Sequence, residues 1–332
     1  MATIRDIAKL AGVSKTTVAR ALNNDGYVKE ETKKRIEKAV KELNYTPNHI
    51  AKVMRTNKSA TIGIFIPDYA NPFYAELFKG IEEVTRKAGY MNLVCQTAEQ
   101  SDVELFYIKE LLKRQIDGII YCTYNESNEG QKYLQKISRK TPIVCMDPVF
   151  RDLGLSCVVS DGYNGTKQAV KKLIVTGSKQ IAYIKGPEAH AVTKERFQGY
   201  RDALIEAGIP INEKLIFESL DFKMASGSMA ANYFISLRQK PEAVMAATDV
   251  LAIGALKEFR RRKIEIPNEL RIVGFDNIPL ASLVEPSMTT VAQPISQLGV
   301  TAAQLLIQKI NNNSLPEQQI VLECTLVERD ST

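Results

Sequence analysis

Side chains suited to contacts with DNA lie close together near the N-terminus. Ser14, Lys15, Thr16, Thr17 and Arg20 combine short hydroxyls with long cationic groups on the outer, N-terminal part of a predicted helix. In a major groove such groups meet base edges, so we expect Lys15, Thr16 and Arg20 to read sequence. We expect Ser14 and Thr17 to hold phosphates, with the alternative that both only cap the helix.

Three short helices would position these groups. Thr3 with Asp6 predicts a capped start of the first helix, and Gly12 predicts its end and a tight turn. A second helix, a turn at 23–26 and a third helix with an apolar face at 36–43 follow. This order and size predict a helix-turn-helix DNA-binding domain.

The distribution of charge supports a polyanionic partner for this segment. Residues 1–60 contain 13 Lys and Arg against 6 Asp and Glu, which gives a net charge of +7. The remaining 272 residues contain 31 basic and 32 acidic side chains, so the whole excess of +6 comes from the first sixty residues. A solvated basic face explains such a charge run equally well, but the helix-turn-helix pattern favours DNA.

Composition limits the classes of protein that fit. The chain has 332 residues, five scattered cysteines without a CxxC motif, and two histidines, which argues against zinc modules and disulfide-rich secreted scaffolds. We expect no metal and no cofactor. Charged residues interrupt the N-terminus and polar residues interrupt the charge-free stretch at 286–308, so we expect no signal peptide, no membrane partner and a cytoplasmic location.

The body of the chain alternates apolar runs with amphipathic helical patterns from Thr61 onward. Continuous apolar strands between helices predict parallel sheets covered on both faces. About a dozen such units exceed one sheet, so we expect two Rossmann-like lobes. Ligands of such sheets bind beyond the carboxyl ends of the strands, which here predicts a site in the cleft between the lobes.

Polar and aromatic side chains stand just past the predicted strand ends. Carboxylates accept paired hydroxyls, arginine donates a planar fork, and aromatic rings stack on C–H faces, so the set suits a sugar or another small polyhydroxy or anionic metabolite. The alternatives are helix caps for the aspartates, core positions for the aromatic pair and a surface loop for the histidine. The candidate ligand-binding residues are Phe73, Tyr74, Asp147, Asp161, His190, Arg196, Phe222, Thr248, Asp249 and Asp276.

The stretch TIRDIAKLAGVSKTTVARALN at 3–23, then LNYTPNHIAKVMR at 43–55 and a long α/β body, resembles the lactose-repressor (LacI/GalR) family of bacterial transcription regulators. The resemblance implies a homodimer on a near-palindromic operator and a hinge helix at 47–55 in the minor groove. Met54 takes the position of the apolar side chain that wedges between bases in that family. The expected DNA-contacting set is completed by Thr3, Asn23, Asn48, His49, Ala51, Met54 and Arg55.

The resemblance also implies a domain arrangement. It consists of a helix-turn-helix domain at 1–46, a hinge at 47–59 and a periplasmic-binding-protein-like effector domain at 60–332. We expect an N-lobe at about 60–161 and 292–318 and a C-lobe at about 162–291 and 319–332. Arg196 and Asp276 match effector-contact positions of the family, whereas Thr248 stands where the family often has asparagine.

We therefore expect a sequence-specific DNA-binding repressor of a carbohydrate uptake or catabolic operon, controlled by a sugar-like effector in the cleft. One alternative is a global regulator whose corepressor is another protein. A second is an enzyme fused to a DNA-binding domain, which the lack of GxGxxG, P-loop and GxSxG motifs disfavours. A third, an extracytoplasmic solute-binding protein, fits the lobes but not the helix-turn-helix.

Overall fold

A computed structural model describes residues 2–23, 26–45, 53, 58–123 and 128–332. The chain forms two compact units, Met1–Ser59 and Ala60–Thr332. The predicted hinge helix at 47–55, with Asn48, His49, Ala51, Met54 and Arg55, lies outside the described residues apart from position 53.

The N-terminal unit is the predicted set of three helices: α1 (Ile4–Ala11), α2 (Lys15–Asn23) and α3 (Glu30–Glu42). Their apolar faces meet in a small core in which Ile7, Val18 and Ile36 are almost completely buried. Such short helices are marginal alone in water, so this shared core is what stabilises them.

The first sheet of the larger unit has six parallel strands in the spatial order β11-β5-β4-β3-β1-β2. Its strands are β1 (Thr61–Ile66), β2 (Met91–Gln96), β3 (Gly118–Tyr121), β4 (Ile143–Cys145), β5 (Ser156–Ser160) and β11 (Gln319–Leu322). One face is covered by α4 (Pro72–Lys87) and α11 (Ile295–Asn311), and the other by α5 (Ser101–Lys113) and α6 (Asn128–Ser138). A short 3-10 helix, Pro148–Leu153, follows β4.

The second sheet has the order β12-β10-β9-β8-β6-β7 and is parallel except for the edge pair of β10 and β12. Its strands are β6 (Ile181–Lys185), β7 (Ile216–Glu218), β8 (Ala243–Ala246), β9 (Arg271–Asp276), β10 (Thr289–Ala292) and β12 (Thr325–Val327). Its helices are α7 (Gly162–Val175), α8 (Ala191–Glu206), α9 (Met224–Ser236) and α10 (Asp249–Arg261). The two doubly wound lobes confirm the predicted fold class.

The chain passes between the sheets after β5, after β10 and after β11. The last of these crossings differs from the expected lobe bounds. Residues 319–322 pair with β5 in the first sheet, whereas the prediction assigned 319–332 to the C-lobe. The chain therefore returns to the C-lobe after Leu322. This short edge strand alternates exposed and half-buried residues, so it carries little hydrophobic signal of its own.

Glycines allow the helices on each sheet to pack at close range. A Cβ atom on Gly80 of α4 would lie 2.1 Å from the backbone oxygen of Ser296 in α11. On the second sheet, a Cβ atom on Gly254 of α10 would lie 2.0 Å from the backbone oxygen of Met224 in α9. Both contacts are with backbone atoms, so these positions exclude any larger residue unless the helices separate.

Candidate DNA interface and ligand cleft

The helix-turn-helix of the N-terminal unit is built by local capping. Thr3 and Asp6 form the predicted capping box at the start of α1, and Gly12 ends that helix in the left-handed conformation at φ 64°. The Thr17 backbone N–H donates to the Ser14 Oγ at 3.0 Å, so Ser14 caps α2, which is the alternative considered for it. The prediction of a capped, turned helix pair is confirmed.

Helix α2 presents three of the predicted DNA contacts to solvent. Lys15, Thr16 and Arg20 are exposed, and Val18 on the opposite side is buried in the core. The hydroxyls of Ser14 and Thr17 lie 2.8 Å apart, which uses part of their hydrogen-bonding capacity inside the cap. Because these donors are exposed at the start of the helix, they can reach base edges and phosphates of DNA.

In the larger unit a cleft lies between the two lobes at the carboxyl ends of the strands. The space between its walls measures about 740 Å³, a figure that includes open solvent at the mouth of the cleft. Seven of the ten predicted ligand residues line it: Phe73, Tyr74, Asp147, Arg196, Phe222, Thr248 and Asp276. This is the place that parallel α/β sheets offer to a ligand.

Arg196 of α8 is the one cation among the described residues that line this cleft, and it is 7% exposed. Its Nη1 donates to the Ala247 backbone oxygen at 2.6 Å and lies 3.6 Å from the Asp276 carboxylate. The guanidinium carbon sits 3.8 Å from the centre of the Phe275 ring. These contacts fix the guanidinium plane before any ligand arrives, which lowers the entropic cost of binding.

Asp276 at the end of β9 faces Arg196 and is held on its other side by Gln293. The Gln293 side-chain amide donates to Asp276 Oδ1 at 2.6 Å, and the Ser160 hydroxyl donates to the Gln293 amide oxygen. Burial raises the pKa of Asp276 to about 6, against the opposing effects of Arg196 and Gln293. Its backbone has φ 119°, a left-handed conformation that non-glycine residues rarely adopt and that clusters at functional sites.

Among the described residues, the N-lobe wall is predominantly apolar and carries one carboxylate. Asp147 follows β4, is 2% exposed, and accepts from the Val149 backbone N–H at 2.9 Å, so it caps the 3-10 helix. Phe73 also lines this wall and packs edge-on against Tyr74, with ring centroids 5.2 Å apart. The charged pair Arg196–Asp276 therefore lies on the C-lobe wall, and most of the apolar side chains that line the cleft lie on the N-lobe wall.

Asp249 does not line the cleft, which corrects the prediction that it faces the ligand. Its side chain is fully buried and accepts from the Thr290 hydroxyl at 2.6 Å and the Ile278 backbone N–H at 2.8 Å. Burial and the neighbouring Asp276 raise the pKa of Asp249 well above its usual range. Its first-turn position in α10 turns it inward, so it braces the backbone that carries Asp276.

Asp161 and His190 also lie beside the cleft and not in its wall. Asp161 caps α7 by accepting from the Asn164 backbone N–H at 3.0 Å, which is the cap alternative considered for it. His190 packs against Phe222 with ring centroids 5.4 Å apart, and its Nε2 lies 3.8 Å from Glu99 of the other lobe. Burial lowers the pKa of His190 to about 4, helped by Lys194.

The sequence pattern missed three polar residues of the cleft: Asn71, Ser160 and Gln293. Gln293 directly follows β10, so it obeys the same strand-end rule as the residues that were found. It was missed because β10, TTVA at 289–292, is too short and polar to be recognised as a buried strand. Asn71 could have been found from the sequence, because it directly precedes Pro72 and asparagine followed by proline is typical of a helix start.

Within the described part of the chain, no helix has the length and apolarity that a bilayer crossing requires. Among the same residues, no group of three or more His, Cys, Asp or Glu side chains converges as metal ligands.

Comparison with known proteins identifies both units. Residues 3–48 match the profile of bacterial regulatory proteins of the lacI family, and residues 59–329 match that of periplasmic binding proteins and the sugar binding domain of the LacI family. The HTH-type transcriptional regulator DegA of Bacillus subtilis (strain 168) is 38% identical over 331 residues, covering 99% of this chain and 98% of DegA.

Solved structures agree with this match. The transcriptional regulator CelR in complex with cellobiose is 29% identical, with a TM-score of 0.76 and complete coverage of both chains. The lac repressor dimer bound to operator and the anti-inducer ONPF has a TM-score of 0.90 at 23% identity, covering 100% of this chain and 99% of that chain, which supports the fold. The chain therefore belongs to the lacI family of bacterial regulatory proteins, with a helix-turn-helix unit followed by the sugar binding domain of that family.

Proposed function

We propose that this protein is a sequence-specific transcriptional repressor whose affinity for operator DNA is controlled by a sugar or sugar derivative in the interlobe cleft. It acts as a homodimer, with one α2 helix from each subunit in adjacent major grooves. Lys15, Thr16 and Arg20 read base edges, and Thr3, Ser14, Thr17 and Asn23 contact the phosphate backbone. The hinge residues Asn48, His49, Ala51, Met54 and Arg55 complete the contacts in the minor groove.

The exposed basic face of α2 supports the DNA-binding half of this proposal. Long cations on a helix capped at its N-terminus have little role in folding, because the core of the unit lies on the other side. The net charge of +7 over residues 1–60 gives that unit the electrostatic attraction that drives non-specific DNA binding.

The Arg196–Asp276 pair in the cleft is the single observation that carries the effector half. A buried guanidinium 3.6 Å from a buried carboxylate, at an opening between two lobes, is a costly arrangement for a fold alone. The pair places the donors of a guanidinium beside the acceptors of a carboxylate, which suits the adjacent hydroxyls of a sugar. Phe222 beside it supplies an aromatic surface for the C–H face of a ring.

Control of DNA affinity follows from the position of the cleft. A ligand that contacts Arg196 in one lobe and Phe73 in the other binds best at one angle between the lobes. It therefore shifts the population of lobe geometries by its differential affinity for them. An inducer favours the geometry that releases DNA, and a corepressor favours the geometry that holds it.

The experiment has two steps. The full-length protein selects its operator from a random duplex library, and a thermal-shift screen of sugars and sugar derivatives finds ligands that raise its melting temperature. Operator affinity is then measured by fluorescence anisotropy with and without each hit. A change of about fivefold or more, in either direction, supports the proposal. Specific operator binding that no sugar alters would contradict the effector half and favour a protein corepressor.

A further inference from the structure

Three segments of the chain connect the lobes, and each places a polar side chain at the same point. The first leaves β5 at Ser160, the second follows β10 and contains Gln293, and the third follows β11 and contains Cys324. The Ser160 hydroxyl donates to the Gln293 amide oxygen and lies within hydrogen-bonding reach of the Cys324 thiol. The connections between the lobes therefore share one small polar cluster.

The three connecting segments are closely packed around this cluster. A Cβ atom on Gly165, in the first turn of α7, would lie 2.8 Å from Val291 Cγ1 and 2.9 Å from Cys324 Cβ. The side chains of Gln293 and Cys324 are only 8% and 7% exposed. A rotation of one lobe against the other turns about these segments, so it has to change the hydrogen bonds inside the cluster.

Gln293 connects the cluster to the cleft carboxylate Asp276. Its Nε2 donates to Asp276 Oδ1 at 2.6 Å, and its backbone N–H donates to the Asp276 backbone oxygen at 3.4 Å. On its other side Asp276 lies 3.6 Å from Arg196. Because a side-chain amide has an acceptor and donors on different atoms, it can accept from Ser160 and donate to Asp276 at the same time.

The two ends of this hydrogen-bonded chain are fixed in different lobes. Ser160 is the last residue of β5 in the first sheet. Beside Asp276, the Arg329 guanidinium donates to the Asn277 side-chain oxygen at 2.7 Å, and the Asn277 backbone N–H donates to the Thr290 hydroxyl at 3.3 Å. Since each end is held by its own sheet, the bond from Ser160 to Gln293 is a link that lobe rotation can break.

We infer that Ser160 and Gln293 form a relay that couples the angle between the lobes to the orientation of the Asp276 carboxylate, and so couples ligand binding to operator affinity. Both are positioning residues, because Gln293 orients Asp276 and Ser160 orients Gln293. A rotation that breaks the relay releases the carboxylate, so the two lobe angles differ in ligand affinity. That difference is what lets a ligand shift the angle. The inference rests on the proposed function and adds how the cleft transmits its state.

The variant Ser160→Ala breaks the relay at the link between the lobes. The probe is whichever of D-ribose, D-glucose and cellobiose gives the full-length protein the largest rise in melting temperature. Fluorescence anisotropy measures operator affinity without sugar and at saturating sugar. We expect Ser160→Ala to reduce the sugar-induced change in operator affinity about fivefold, the effect of one lost hydrogen bond. Ser160→Thr keeps the hydroxyl and should keep the response.

The outcomes separate the relay from the proposed function. If Ser160 only contacted the ligand, Ser160→Ala would weaken sugar binding but leave the response at saturating sugar unchanged, which would overturn the inference alone. Equal responses of Ser160→Ala and the wild-type protein would overturn it too. A wild-type protein that binds operator but responds to none of the three sugars contradicts the proposed control by sugars and the inference with it.

The variant Gln293→Met tests the central residue of the relay. Methionine keeps an unbranched side chain but has no amide to donate to Asp276. The Gln293 amide opposes the rise in the pKa of Asp276 that burial causes. Its loss should therefore raise that pKa, and the pH at which sugar affinity falls should move upward. The titratable groups around the carboxylate are left unchanged by this variant: Arg196, Asp249 and Cys324.

Two comparisons complete this test. Gln297→Met, exposed on α11, is the matched control and should behave as the wild-type protein does. In a relay, Ser160 acts through Gln293, so Ser160→Ala should have no further effect on the operator response of Gln293→Met. Additive losses in the double variant, or a pH profile of Gln293→Met that matches the wild-type profile, would contradict the relay.

Discussion

The two functional regions of this protein expose their key side chains to opposite degrees. Lys15, Thr16 and Arg20 of α2 are exposed, whereas Arg196 and Asp276 of the cleft are only 7% and 3% exposed. In the first region capping and a small core build the scaffold, and the functional groups stand outside it. In the second region the functional groups are part of the lobe interior and bond to its backbone.

This difference predicts how mutations behave. A substitution on the exposed face of α2 is expected to remove a proposed contact with DNA and to leave the fold as it was. A substitution in the Arg196–Asp276 pair is expected to remove a proposed ligand contact and also to leave a buried partner without its counter-charge. Function and stability should therefore separate in the N-terminal unit and move together in the cleft.

The largest expected effect is that of Arg196→Ala. It removes the bond to Ala247, the stacking on Phe275 and the counter-charge of Asp276. We expect loss of ligand binding together with a decrease of about 3 kcal/mol in the free energy of unfolding, measured by urea denaturation of the 60–332 fragment. Arg201→Ala, in the more exposed part of the same helix, is the control. If Arg196→Ala were as stable as the unsubstituted protein, the proposed coupling between ligand binding and stability in the cleft would be wrong.

The second effect is that of Arg20→Ala. It should weaken binding to the selected operator by about 1–3 kcal/mol and binding to random duplex much less, with no change in melting temperature. Arg35→Ala, exposed on α3, is the control for loss of charge alone. An equal loss on operator and random DNA would make Arg20 a phosphate contact.

The third effect concerns pH. Because burial raises the pKa of Asp276 to about 6, the carboxylate that we propose accepts ligand hydroxyls is mostly protonated below that pH. Ligand affinity should therefore be constant above about pH 7 and fall about tenfold by pH 5. DNA binding by α2 should not show this dependence, because α2 contains no Asp, Glu or His. The pKa of His190, lowered to about 4, keeps this histidine neutral across the same range. Titration calorimetry at pH 5, 6 and 7 checks this expectation, and a flat profile would contradict it.

The smallest effect is expected at the contact between the lobes, Glu99→Gln. His190 lies 3.8 Å from Glu99, but its low pKa leaves it uncharged at neutral pH, so the pair is not an ion pair there. Ligand affinity at pH 7 should change by less than about threefold, since the contact is partly exposed and screened. A tenfold loss of ligand affinity would contradict this expectation.

The same contrast explains what the sequence could predict. In the N-terminal unit each signal is local: Thr3 caps through Asp6, three residues away, and Gly12 ends the helix where it stands. Local chemistry of this kind is readable from a single sequence, so the helix-turn-helix was predicted almost residue by residue.

The cleft depends on contacts between distant parts of the chain. Ser160 and Gln293 meet across 133 positions, and no spacing rule connects them. The strand-end rule found Arg196 and Asp276 and also selected Asp249, because the pattern cannot tell an outward from an inward first-turn aspartate. The edge strand β11 was assigned to the wrong lobe, since its four residues carry no signal about which sheet they join.

The central claim is that DNA binding resides in the N-terminal unit and is controlled from the cleft. The most direct test compares the full-length protein with the 60–332 fragment, a separate compact unit, in a gel-shift assay on the selected operator. We expect the full-length protein to retard the operator, the fragment to leave it free, and both to bind the same sugar with equal affinity. Retardation of duplex DNA by the fragment would contradict the account.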